Sequence, residues 1–212
     1  MRGNLQVARV PGRGSSVPSV WEPHILPPRG VSNEMTGTWT IYESPIGPLT
    51  LVAGPRGLTD LRFPGKLRLP DETAKRPLPA VSEQLDAYFA GELRDFELPL
   101  DLHGNRLQLA VWRQLQRIPY GETISYGELA ARVDPDLFPA EVEAWQRARI
   151  VGGVNGRNPV AIIVPCHRVI GADGSLTGYG GGLQRKQALL DLERGAAGGA
   201  TPPPNNPQLA IL

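Results

Sequence analysis

The chain has 212 residues, with 22 Lys+Arg against 21 Asp+Glu, a formal net charge of +1 and 41% hydrophobic residues. That length and balance describe a globular protein with enough chain for a substantial core. One cysteine excludes an intramolecular disulfide framework and any cysteine-based zinc site, and no apolar run approaches the roughly eighteen residues of a membrane span.

Residues 1–34 are rich in Gly, Pro, Ser and Arg and lack periodicity, so a disordered extension is expected over 1–35. They also lack the apolar core of a signal peptide, and Met35 is a candidate translation start. From residue 36 the pattern becomes strand-like. Segments 38–42 and 49–53 flank the turn-rich stretch 44–48, and 58–63 follows Gly57, which together predict a small antiparallel meander. Val81, Leu85, Tyr88 and Phe89 form a helical stripe across 80–90, closed by Gly91.

Leu107, Val111, Trp112, Leu115 and Ile118 mark a second amphipathic helix, ended by Pro119-Tyr120-Gly121. Ser125 with Glu128 has capping-box spacing and predicts a short helix over 126–132. A further helix is expected over 141–154, a buried strand over 160–164 and a last helix over 183–192. The low-complexity tail predicts disorder over 195–212.

The small net charge hides an asymmetry. Residues 71–143 carry 7 Lys/Arg against 14 Asp/Glu, whereas 144–187 carry Arg147, Arg149, Arg157, Arg168, Arg185 and Lys186 against Asp173 alone. The basic block brackets the lone cysteine. It points either to an anionic partner, nucleic acid first, or to a solvated basic face.

Cys166 lies in Val164-Pro-Cys-His-Arg-Val-Ile-Gly171. A lone cysteine after an apolar run is most often a small buried hydrophobe. Here an imidazole and a guanidinium follow at once, and nearby cationic groups favour the thiolate, the nucleophilic form. A single free thiol also suits a reducing compartment.

Two blocks carry a resemblance. One is Ile118-Pro-Tyr-Gly-Glu-Thr-Ile-Ser-Tyr-Gly-Glu-Leu-Ala130; the other runs from Arg149-Ile-Val-Gly-Gly through Asn155-Gly-Arg-Asn-Pro and Pro165-Cys-His-Arg to Gly178-Tyr-Gly-Gly-Gly-Leu183. Together they resemble the O6-alkylguanine-DNA alkyltransferases (methylated-DNA–protein-cysteine methyltransferases), with the likeness extending over about 37–193. The resemblance implies an α+β fold. A small N-terminal ribonuclease-H-like antiparallel sheet with a helix would span 36–101. A helical C-terminal domain with a helix-turn-helix, winged-helix-like DNA-binding element would span 102–194. It also implies irreversible, single-turnover transfer of an alkyl group from O6 of guanine, and from O4 of thymine, to Cys166.

Residue roles follow from the same resemblance. His167 would be the base, reached from the thiol through a bound water because neighbours on an extended chain point to opposite sides. Glu193 would orient the imidazole, Tyr126 would act on the flipped base, and Asn158 would brace the loop before the thiol. Val169, by its carbonyl, with Tyr179, Gly180 and Arg168, would contact the substrate. Arg149 would enter the minor groove to fill the gap left by the extruded base. The expected partner is double-stranded DNA containing O6-alkylguanine, met by a cytoplasmic monomer without metal, cofactor or membrane.

Two departures stand out. The stretch 133–146 is longer than a helix-turn-helix connection usually is, and it carries Asp134, Asp136, Glu141 and Glu143 with Leu137 and Phe138. It could fold away from DNA, lengthen the second helix backward or contact a partner. Leu107 stands where many members carry an aromatic residue. A non-enzymatic lesion binder, a cysteine hydrolase using Cys166, His167 and Glu193, and a transcriptional regulator are the competing readings.

Overall fold

A computed structural model describes residues 37–65 and 69–197. The extension expected over 1–35, and the expected tail from residue 198 on, lie outside the described residues.

Three strands, β1 (Thr38–Ser44), β2 (Gly47–Gly54) and β3 (Gly57–Arg62), form the antiparallel meander in the order β1-β2-β3. The first hairpin is tighter than the sequence suggested. Ser44 pairs with Gly47, leaving Pro45 and Ile46 as a two-residue turn, and Gly47 takes a φ of 102° that glycine tolerates best. Alternation places Leu49 and Leu51 in the core, and a bulge between Val52 and Ala53 breaks it. Helix α1 (Pro79–Phe89) buries Val81, Leu85 and Tyr88, the stripe seen in the sequence.

In the second half, α2 (Arg106–Leu115) starts on a capping box made by Asn105 and Gln108. Helix α3 (Tyr126–Ala131) starts on the expected box of Ser125 and Glu128. It packs on α4 (Ala144–Asn155), giving the two helices expected of a helix-turn-helix. Two-residue strands β4 (Ile124–Ser125) and β5 (Val169–Ile170) pair in parallel and tie the start of α3 to the segment after Cys166. Helix α5 (Leu183–Ala197) runs past the expected end at 192, because Leu192 and Glu193 are themselves buried and hold the chain to the core.

The segment 160–164 is not a strand. Val160 makes one parallel bridge to Leu61, with Leu61 N–H donating to Pro159 O and Ala161 N–H to Leu61 O, both at 2.9 Å. The chain then turns, with Ile162 at a φ of 72°, a strained value for a β-branched residue. Ile162 is held there by burial and by the Val164 N–H to Val160 O bond at 2.9 Å. An apolar run buried on all sides gives no periodicity to separate strand from turn.

The insertion folds as a compact cap on the helix pair. Asp134 accepts from Asp136 N–H at 3.0 Å and starts a 3-10 turn, Pro135–Leu137. Val133 and Phe138 are buried while the four acids stay exposed, and the Arg147 guanidinium lies 5.2 Å from the Phe138 ring centre. Helix α4 is not lengthened backward; it begins at Ala144, with Gln146 accepting from Glu143 N–H at 2.9 Å. Phe138→Ala is therefore expected to lower unfolding free energy by about 3 kcal/mol in urea titrations, and Asp136→Ala to change it by less than about 0.5 kcal/mol.

Candidate active site around Cys166

Cys166, His167 and Arg168 form a 3-10 turn rather than an extended segment, and all three are buried. Successive side chains on such a turn diverge by about 120°, so thiol and imidazole still do not face each other directly. The turn is held from outside by two asparagines. Asn158 Nδ2 donates to Val164 O at 2.7 Å while its Oδ1 accepts from Val160 N–H at 3.1 Å, which closes the loop leading to the cysteine. Asn155 Nδ2, from the end of α4, donates to Cys166 O at 3.3 Å. Asn155 belongs to the same Asn-Gly-Arg-Asn-Pro motif as Asn158 but carried no separate signal in the sequence.

Glu193 is fully buried and receives five hydrogen bonds. Oε1 takes His167 Nε2 at 2.8 Å, Tyr88 OH at 2.8 Å and Arg168 Nη2 at 2.9 Å. Oε2 takes Arg168 Nε at 2.8 Å and Gly121 N–H at 3.2 Å. Burial pushes the carboxyl upward, but the hydrogen bonds and charges of His167 and Arg168 outweigh it and hold the pKa at about 2. An ionised carboxylate only accepts, so Nε2 carries the imidazole hydrogen and Nδ1 keeps its lone pair. Nδ1 is buried and has no hydrogen-bond partner among the described residues.

The thiol and imidazole are poised in their neutral forms. Burial raises the Cys166 pKa, while Asn158 and the Lys186 charge pull it back. Burial lowers the His167 pKa, against the opposing effect of Glu193. Lys186, on α5, is fully buried; its Nζ donates to Val169 O at 2.6 Å and to Thr177 O at 2.9 Å. Sequence reasoning counted this lysine only as part of a basic block. Its helical position opposite the loop 169–177 could not be seen without the fold.

Arg168 is placed differently from expectation. Rather than facing a substrate, it is buried in a bidentate pair with Glu193, donates from Nη1 to Ile118 O at 2.6 Å and lies over the Tyr120 ring. The local charge excess is therefore not one basic surface. Arg168 and Lys186 are buried, whereas Arg149 and Arg157 are exposed on or beside α4. Arg149 makes no hydrogen bond or ion pair among the described residues.

The other expected contact residues lie on α3 and on the segment 169–180. Tyr126 OH donates to Thr177 O at 3.2 Å, and its ring lies within van der Waals reach of Gly152 of α4. Tyr179 OH is buried without a partner among the described residues, and burial beside Cys166 holds its pKa well above the ordinary tyrosine value. Its ring meets Phe63 edge-on at 5.9 Å, while Gly180 is exposed with open space around it. The Val169 carbonyl already accepts from Lys186, which leaves one lone pair for a ligand.

The family model for the ribonuclease-like domain of 6-O-methylguanine DNA methyltransferase matches residues 38–102, and that for its DNA binding domain matches residues 106–195. A methylated-DNA–protein-cysteine methyltransferase of Mycolicibacterium paratuberculosis is 53% identical over 156 residues, covering 72% of this chain and 89% of that protein. The crystal structure of a Mycobacterium tuberculosis O6-methylguanine methyltransferase is similar at a TM-score of 0.65 and 46% identity, over 82% of this chain and 98% of that one. The same organism's OGT in complex with DNA is similar at a TM-score of 0.63 and 50% identity, over 75% and 94%.

The buried charges set a pH dependence. His167 is kept neutral, so stability should start to fall as pH drops below its ordinary value of 6.5. Glu193 has a depressed pKa, so its contribution is present above 4.5 and is lost as pH falls toward about 2. Glu193→Gln should lower neutral-pH stability by about 3 kcal/mol, since Arg168 stays buried without its counter-charge. It should also flatten the part of the decline below 4.5, as measured by thermal melts from pH 7 downward.

Proposed function

The chain belongs to the methylated-DNA–protein-cysteine methyltransferase family, and from that premise we propose that Cys166 is the alkyl acceptor and His167 the base that activates it. The protein repairs DNA by moving a methyl or other alkyl group from O6 of guanine to its own cysteine. Its sequence holds one cysteine, so one site exists and each molecule acts once. The observation that carries the assignment of the base is the bond of His167 Nε2 to Glu193, which leaves Nδ1 as the nitrogen able to take a proton.

The steps follow from the charges. The resting thiol hands its proton to Nδ1 through a water, and Glu193 stabilises the imidazolium that results. The sulfur then attacks the alkyl carbon. The S–C bond forms as the C–O6 bond breaks, and the electron pair leaves with the guanine. The guanine regains one proton, matching the one the thiol gave up. In this reading the Tyr126 hydroxyl hydrogen-bonds the base, and Tyr179, Gly180 and the Val169 carbonyl contact it.

The target base must leave the duplex, at a cost of a few kcal/mol. Arg149, exposed on α4 and without a hydrogen bond or ion pair among the described residues, is the side chain that fills the gap. The acids of the insertion are consistent with this role. Asp134 and the backbone of Glu143 serve local turns and caps, and the apolar residues draw the loop onto the helix pair. A single free thiol supports action in the reducing cytoplasm; the protein would act as a monomer, and the same site would take O4-alkylated thymine.

Incubation with a duplex containing O6-methylguanine should add one methyl mass to the intact protein, and Cys166→Ala should abolish the gain. Binding without any mass change would overturn the acceptor assignment; a parallel O4-methylthymine duplex tests the second substrate. Arg149→Ala should slow repair of duplex far more than reaction with free O6-benzylguanine. Equal losses on both would sink the finger role.

A further inference from the structure

We propose that Tyr88, on helix α1 of the N-terminal half, is a positioning residue for alkyl transfer, its hydroxyl holding the carboxylate that orients His167. The proposal rests on His167 being the base. Tyr88 is fully buried, and its OH donates at 2.8 Å to Glu193 Oε1, the same oxygen that receives His167 Nε2 at 2.8 Å. It cannot swing away. Its ring is caged by Phe89 and Phe96, each 5.3 Å between centroids, and by Tyr120 at 6.0 Å.

An ordinary core tyrosine needs only some acceptor, and a backbone carbonyl serves. Here the hydroxyl shares one carboxylate oxygen with the imidazole, so it competes for the electron density that sets ring basicity. Arg168 grips both oxygens and fixes the carboxylate plane; Tyr88 reaches it from a different element, 105 residues away in sequence. Burial beside Glu193 holds the phenol well above its ordinary pKa, so it remains a donor at all working pH values. The N-terminal half thereby holds the reactive turn twice, through Tyr88 and through the bridge of Leu61 to Val160.

The groups facing the pair are Arg168 from the reactive turn, Lys186 from α5, Tyr120 from the loop after α2, and Arg94, whose guanidinium lies over the Tyr120 ring. Histidine is the side chain whose ordinary pKa falls between 5 and 8. A shift in that range therefore reports on the imidazole.

The test is Tyr88→Phe in the full chain, which removes one oxygen and keeps the ring. Single-turnover transfer from an O6-methylguanine duplex is followed against pH, and the His167 imidazole is titrated by 15N NMR. Without its competitor on Oε1 the ring becomes more basic, so the acid limb of the rate profile and the NMR pKa should move to higher pH. The plateau rate should fall about fivefold, the factor carried by one buried hydrogen bond of ordinary strength. A merely structural role would lower the active fraction and leave both pKa readings in place. Glu193→Gln serves as the control and should move both to lower pH. Unmoved readings for Tyr88→Phe beside a moved Glu193→Gln overturn the role of Tyr88 alone; unmoved readings for both overturn the relay with it.

Discussion

A single buried anion organises this protein. The Glu193 carboxylate lies where α1, the loop after α2, the reactive turn and α5 meet, and each of these supplies a donor or the carboxylate itself. An isolated carboxylate in such a place would be costly, and it persists because five hydrogen bonds, two of them from a guanidinium fork, satisfy it. Because the anion is fixed, the imidazole beside it has one tautomer. Because the tautomer is fixed, the free lone pair is on the nitrogen not held by Glu193.

The reactive turn shows a corresponding division of labour. Backbone strain at Ile162 and two asparagine clamps give the chain its shape, so the thiol does not depend on a regular element for its position. Burial opposes charge on both thiol and imidazole and favours the neutral form of each at rest. Lys186 ties α5 to the segment after the reactive turn. Its ammonium is spent on the carbonyls of Val169 and Thr177 while adding a positive potential near the sulfur.

The α3–α4 helix pair accommodates a long connection without losing its packing. Phe138 and Val133 go inward, the acids go outward, and α4 keeps its start at Ala144. Hydrophobic burial decides this, since a loop that carries its own apolar anchors folds down onto the nearest core rather than projecting from it. Arg147 becomes part of that cap over Phe138, whereas Arg149, two residues on along the same helix, stays exposed.

The chain by itself determined the meander, the helix stripes, the capped start of α3 and the reactive motif, because caps, stripes and a contiguous Pro-Cys-His-Arg run are local in sequence. The resemblance built on those motifs led to the family and to His167 and Glu193 as partners. Only the tertiary structure decided that 160–164 is a turn, that Arg168 faces inward, and that Asn155, Lys186 and Tyr88 join the site. Side-chain partners 25 to 105 residues apart converge on Glu193. No local pattern marks a buried arginine or tyrosine as belonging to a distant carboxylate, because what places it there is the packing of separate elements around one charge.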